Sequence, residues 1–176
     1  MTAAEMMRRA CSGDVILVKG QGVIGTLIRC LTGESYSHVA LLLRDPGGVG
    51  WQVAEFGEGI GFSLMPLVEW LDKRRGQTLF YGVAPEIVRQ KPGTVHLAAT
   101  RYVSAGWIRG TYGYLSLAKV WLSQVLKINI PVLQKVCSTY VQEIWKLAGY
   151  TGFTRTADPG DIAEHCAVRY PLWSDR

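Results

Sequence analysis

Apolar and polar positions along the chain fall into short blocks of two different periods. Asp14-Val-Ile-Leu-Val18 is an apolar, β-branched run bounded by Gly13 and Gly20, which predicts a buried strand. From Val23 the period changes. Apolar residues recur at Val23, Leu27, Cys30 and Leu31, one face of a helix that Gly33 stops. His38 to Leu43 and Trp51 to Phe56 are two further strands, joined by Asp45-Pro-Gly-Gly-Val-Gly50, whose Pro and Gly residues suit a turn. These two strands are expected to form an antiparallel hairpin. With its turn centred on Gly47 and Gly48, facing residues have numbers summing to about 93 to 97, and an odd sum keeps both side chains on one face. Glu55 then lies near His38 or Ala40.

Further along, Leu64, Leu67, Val68 and Leu71 fit the inner face of a helix from Ser63 to Leu71, and Thr78 to Val83 is another strand. Thr94 to Trp107 and Tyr114 to Leu126 have helical periodicity, the second through Leu115, Ala118, Leu122 and Val125. After Pro131 a helix beginning near Cys137 and ending at Gly149 carries Val141, Ile144, Trp145 and Ala148 on its inner side. The expected class is α+β, a small antiparallel sheet packed against helices, with residues 1–176 forming a single domain. There is no internal repeat and no linker.

The chain has 176 residues, and a domain of that length buries roughly 70% of the surface its unfolded form exposes, so neither a disulfide nor a metal is needed to complete the fold. Cys11, Cys30, Cys137 and Cys166 lie far apart with no C-x-x-C, which suggests neither a zinc knuckle nor a dense disulfide framework and reads as reduced thiols. A formal charge of +5 favours an anionic partner. The only tight basic cluster is Lys73-Arg74-Arg75, which a solvated helix end explains better than a nucleic-acid groove does. Residues Met1 to Asp14 contain no apolar run of signal-peptide length, and Tyr112 to Val136 is broken by Lys119, Lys127, Pro131 and Lys135, so no transmembrane segment is expected. The expected location is cytoplasmic, with peripheral membrane contact still compatible.

Two residues carry the candidate chemistry. A thiol attacks only as thiolate, and its pKa falls at a helix N-terminus beside an imidazole. Cys137, followed by Ser138-Thr139-Tyr140, stands at such a position. His38 opens a strand after Tyr36-Ser37, and Glu55, one strand later, is placed to fix its tautomer as the third member of a triad does. Glu58 in the next loop is the reserve. Taken singly, Cys137 reads more simply as a small buried hydrophobe and His38 as a satisfied structural histidine. Their combination and order give them weight.

Gly13-Asp14-Val-Ile-Leu, Ser35-Tyr-Ser-His38-Val-Ala, Ala54-Glu55 and Val136-Cys137-Ser138-Thr-Tyr-Val together resemble the circularly permuted papain-like NlpC/P60 superfamily, of the YiiX/YaeF type. The family's order is histidine, acid, cysteine, the reverse of ordinary papain-like enzymes. The resemblance runs from about Gly13 to Asp158-Pro-Gly-Asp-Ile162, which looks like the family's closing helix start; Lys119 to Lys135 matches no motif of it. It implies a cysteine hydrolase acting through Cys137, His38 and Glu55 and an acyl-enzyme. Oxyanion donors would come from the Cys137 backbone, with Tyr36 and Ser138 assisting, and no cofactor is called for. The implied substrate is a peptidoglycan stem peptide, or alternatively a lipid-linked amide or ester, with hydrolysis or acyl transfer as the outcome. Wall substrates and a cytoplasmic origin would be reconciled by lysis or phage-type delivery.

A rival lies in Gly20-Gln-Gly22-Val-Ile-Gly25, a literal G-x-G-x-x-G after a strand and opening a helix, with Asp45 about twenty residues on. It suggests a dinucleotide-binding oxidoreductase. The hairpin turn at Pro46-Gly47-Gly48 speaks against the alternating strands and helices that such a fold needs. His96, on an apolar helical stretch, reads as structural, and His165-Cys166 has no metal-site spacing.

Overall fold

The computed structural model describes residues 1–19, 35–48, 50–57, 61–104 and 137–173. The helix expected from Val23, the Gly20-Gly22-Gly25 segment, Glu58, the helix from Tyr114 and the unmatched Lys119 to Lys135 stretch lie outside these residues. In chain order the elements are α1 (Ala3–Arg9), β1 (Val15–Lys19), β2 (His38–Arg44), β3 (Trp51–Gly57), β4 (Gly61–Pro66), α2 (Leu67–Lys73), β5 (Thr78–Val83), α3 (Glu86–Arg89), α4 (Pro92–Ser104), α5 (Cys137–Leu147), α6 (Pro159–Glu164) and β6 (Val168–Leu172). The class is α+β.

The six strands among the described residues form one sheet in the order β4-β3-β2-β1-β5-β6, antiparallel at every pairing. The apolar run of β1 sits between β2 and β5, and Val15 to Val18 are buried on both faces, which is why that run does not alternate. On one face Val15, Leu17, Val39, Leu41, Leu43, Ala54 and Phe56 meet α4, α5 and α6. On the other, Ile16, Val18, Ala40, Leu42 and Val53 meet Met6 of α1 and Leu67 and Trp70 of α2. Two helices are closed by local chemistry. Thr2 and Glu5 form a reciprocal capping box on α1, and Asp158 and Asp161 do so on α6, with Pro159 opening that helix.

The hairpin register is as the turn implies. Leu41 faces Ala54 and Leu42 faces Val53, pairs whose numbers sum to 95. Continuing that register sets Glu55 against Ala40, on the same face of the sheet as His38.

One expected element is different. Residues from Ser63 are not helical: Gly61–Pro66 is a strand paired with β3, and the helix starts only at Leu67. Leu64 therefore belongs to the sheet, and Val68, expected inside, is 71% exposed, while Trp70 is buried in its place. The dinucleotide reading also fails on topology. A doubly wound nucleotide fold needs the strands flanking its glycine turn to be parallel, whereas β1 and β2 are adjacent and antiparallel. Asp45 takes part in the β2–β3 turn, accepting from the Gly48 N–H through its carbonyl and from Gln52 Nε2 through its carboxylate.

Candidate active site

His38 is the first residue of β2, at the end of a central strand, where helices on both faces can reach it. Its Nε2–H donates to Glu55 Oε2 at 2.6 Å. The Cys137 side chain is its other hydrogen-bonding neighbour. Cys137 is the first residue of α5, whose inner side (Val141, Ile144, Trp145) is fully buried and packs on β2 and β3. The amphipathic face of α5 thus fixes where the thiol stands. The first turn of α5 contains no acidic residue, so the helix dipole favours negative charge at sulfur.

Burial works against a charged His38 ring. The negative Cys137 sulfur and the Glu55 carboxylate nevertheless outweigh it and raise the imidazole from 6.5 to about 9. Burial would likewise raise the Glu55 carboxyl, but the imidazolium, its hydrogen bond and the Arg74 guanidinium hold it down at about 2. The arrangement favours a charged pair of imidazolium and carboxylate beside the Cys137 sulfur.

Arg74 is the residue that sequence reasoning missed. Grouped with Lys73 and Arg75 it reads as a solvated helix end, and those two neighbours are indeed exposed and paired with Glu69 and Asp72. Arg74 instead turns inward. Its Nη2 donates to both Glu55 oxygens, at 3.1 and 3.3 Å, and its guanidinium stacks 4.8 Å above the centre of Trp70. The Trp70 indole N–H, buried, is directed at Glu55 without reaching a hydrogen-bonding geometry. A hint was present in the sequence: Glu55 is a carboxylate in a strand that is apolar apart from Gln52, and it needs a cation beyond histidine.

The remaining residues singled out from sequence are placed as follows. Tyr36 is buried, with its ring edge-on to Phe80 at 5.6 Å and the Lys19 ammonium 5.7 Å from its centre. Ser138 is buried in the first turn of α5. His165 takes a hydrogen bond with Tyr150 at 2.6 Å and packs against Phe153, and Cys166 bonds the Ile162 carbonyl, so that pair is built into the α6 layer. None of Cys11, Cys137 and Cys166 is in a disulfide.

No protein-family model matches the chain, and no curated protein matches it in sequence. Among solved structures, the crystal structure of the metalloprotein YiiX from Escherichia coli O157:H7 is similar to it, with a TM-score of 0.56 at 15% identity over 79% of this chain and 66% of that one. The chain spans slightly less than two-thirds of that protein's length. The likeness shows a YiiX-like fold.

Proposed function

We propose that this protein is a cysteine hydrolase that cleaves an amide bond through Cys137, His38 and Glu55. The observation that carries the reading is a single imidazole held at 2.6 Å by a buried carboxylate while bonded to a thiol at a helix N-terminus. Each partner has the chemistry its role needs. The Cys137 thiolate attacks the carbonyl carbon, its proton having passed to His38, and the carbonyl electrons move onto oxygen. As the tetrahedral intermediate collapses, His38 gives that proton to the leaving amine and the C–N bond breaks, leaving a thioester. His38 then takes a proton from water, the hydroxide adds, and the carboxylic acid departs as the thiolate reforms. Glu55 fixes the ring and stabilises its charged form without itself taking the proton.

The oxyanion donor we assign is the Cys137 backbone N–H, which lies in the first turn of α5. Tyr36, two residues before His38, and Ser138, next to Cys137, are the hydroxyl groups assigned to assist it. For substrate we propose the stem peptide of peptidoglycan, whose carboxylates and carrier polymer suit a chain of charge +5. YiiX is described as a metalloprotein. Among the described residues of this chain no three His, Cys, Asp or Glu side chains are grouped so as to hold a metal ion, and His38 Nε2 is engaged by Glu55. Among the same residues no helix is long and apolar enough to cross a membrane.

The test is site-resolved alkylation by iodoacetamide against pH in the wild type and in His38→Ala. Rapid labelling of Cys137 below about pH 7, well under the ordinary thiol pKa, and its loss in His38→Ala are expected. Labelling of Cys137 that rises only near the ordinary thiol pKa in both proteins would sink the proposal. Release of amines from stem peptides by the wild type and not by Cys137→Ala then tests the substrate.

A further inference from the structure

We infer that Arg74 is a positioning residue for the Cys137–His38 pair, acting through Glu55 as a fourth charge that keeps the carboxylate ionised and aimed at the imidazole. The inference rests on the hydrolase reading above and adds to it a residue outside the triad.

The charges explain why such a residue is needed. A thiolate, an imidazolium and a carboxylate carry one net negative charge, and all three side chains are shielded from water: Cys137 is 2% exposed, His38 13% and Glu55 6%. An uncompensated buried charge is relieved by taking up a proton. Protonating Glu55 would free the imidazole to turn and remove the attraction that keeps it charged. Arg74 supplies the missing positive charge, sharing Glu55 Oε2 with His38 at 3.1 Å and reaching Oε1 at 3.3 Å, and bonding to both oxygens it fixes the plane of the carboxylate as well as its charge.

The guanidinium is itself held. It lies immediately after α2, stacked on Trp70, and Trp70 is buried against the same sheet face that presents Glu55 and His38. Its outer side lines an open cavity of about 580 Å³ with Leu67, Leu71, Leu79 and Leu172, and its side chain keeps 22% exposure. It is therefore solvated enough to stay charged cheaply yet fixed enough to orient its partner. A purely structural clamp between α2 and β3 would have the same contacts but no influence on the protonation of the site.

The experiment follows Cys137 alkylation against pH in the wild type, Arg74→Met, Arg74→Lys, Glu55→Gln and the Glu55→Gln/Arg74→Met double variant. The acid limb is expected to move up by about one pH unit in Arg74→Met, a tenfold loss of labelling near its foot. Arg74→Lys keeps the charge and the stem and is expected to stay within about 0.3 units of wild type. The double variant is expected to match Glu55→Gln alone, because the effect passes through Glu55. Arg74→Gln, read in the same way, serves if the Met variant does not fold. An acid limb that stays at the wild-type position in Arg74→Met or Arg74→Gln overturns the inference, however much stability is lost. So does a double-variant shift equal to the sum of the single ones. In both of those cases low-pH labelling of wild-type Cys137 leaves the hydrolase reading standing, whereas its absence in the wild type removes that reading and the role of Arg74 together.

Discussion

The Trp145 indole N–H donates to the Gly13 carbonyl at 2.9 Å, tying the helix that begins at Cys137 to the turn that leads into β1. Trp145 is fully buried two turns along α5, so the bond fixes the rotation of the helix about its axis as well as its distance from the sheet. Cys137 stands on the same helix. The Gly13-Asp14 pair, far from the thiol in sequence, thus contributes to where the sulfur is held.

Gly13 has φ of 105°, a region that L side chains rarely adopt, and a Cβ there would lie 2.7 Å from Val88 Cγ1. Gly13→Ala is expected to lose about 2 to 4 kcal/mol of unfolding free energy, from backbone strain together with overpacking. Urea unfolding measures the loss. Because the substitution presses on the turn that holds Trp145, low-pH labelling of Cys137 in the folded variant is also expected to fall.

Asp14 is fully buried and accepts from the Cys11 N–H at 2.7 Å, the Tyr81 hydroxyl at 2.5 Å and the Ala84 N–H at 2.8 Å, with Arg89 Nε at 3.3 Å. It joins the turn before β1 to the end of β5 and to α3. Asp14→Ala strands three donors and leaves Arg89 facing a void, and at about 1 kcal/mol or more for each orphaned group the expected loss is at least about 3 kcal/mol. A variant as stable as wild type would show that water or rearrangement satisfies those donors.

The parts of the molecule legible in the sequence are those where pattern and position agree. β1, β2, β3 and β5 sit inside the sheet and have dense apolar runs, and the inner face of α5 is spelled out by Val141, Ile144 and Trp145. The relation of Glu55 to His38 followed from turn chemistry, since a register with odd sums has only one geometric consequence. Both strands missed are edge strands. Leu64 of β4 continues backwards the helical period of Leu67 and Leu71 in α2 and so imitates a helix, and in β6 Pro171 and exposed Arg169 hide the pattern, as an edge position permits. Arg74 was illegible for another reason: three adjacent basic residues look alike in sequence, and only the fold decides which one faces a buried carboxylate.

The paired shifts at His38 and Glu55 set a stability window. His38 binds its proton more tightly folded, at about 9, than unfolded, at 6.5, so its stabilisation is complete below about 6.5 and is lost as pH rises through about 9. Glu55 binds its proton less tightly folded, at about 2, than unfolded, at 4.5, so its share is complete above about 4.5 and is lost as pH falls through about 2. The site therefore contributes most between about 4.5 and 6.5. Urea midpoints taken from about pH 3 to about pH 10 are expected to fall on both sides of that window. In Glu55→Gln the alkaline decline is expected to shrink, because the ring has lost one of the two negative groups that raise it. An unchanged alkaline slope would mean that Cys137 alone raises the ring.

Access and chemistry make opposite forecasts for Cys137 and Cys166. Cys166 is 9% exposed against 2% for Cys137, so a reagent limited only by entry would modify Cys166 first. Burial, however, pushes the Cys166 thiol up to about 12, and its sulfur donates to the Ile162 carbonyl in a tight space beside Gly82. Cys137 faces an imidazolium and a helix N-terminus. If thiolate supply governs, Cys137 is expected to outpace Cys166 by more than about 100-fold near pH 7, in the order opposite to their exposure. Gly82→Ala sharpens the comparison, since its Cβ would lie 2.7 Å from Cys166 Sγ and 2.9 Å from Val15 Cγ2. That variant is expected to lose about 1 to 3 kcal/mol and to raise labelling of Cys166 through local opening, while the rate at Cys137 stays near the wild-type value. Equal acceleration at both cysteines would instead mean that Cys137 is reached only when the whole domain opens, and that its reactivity belongs to the unfolded chain.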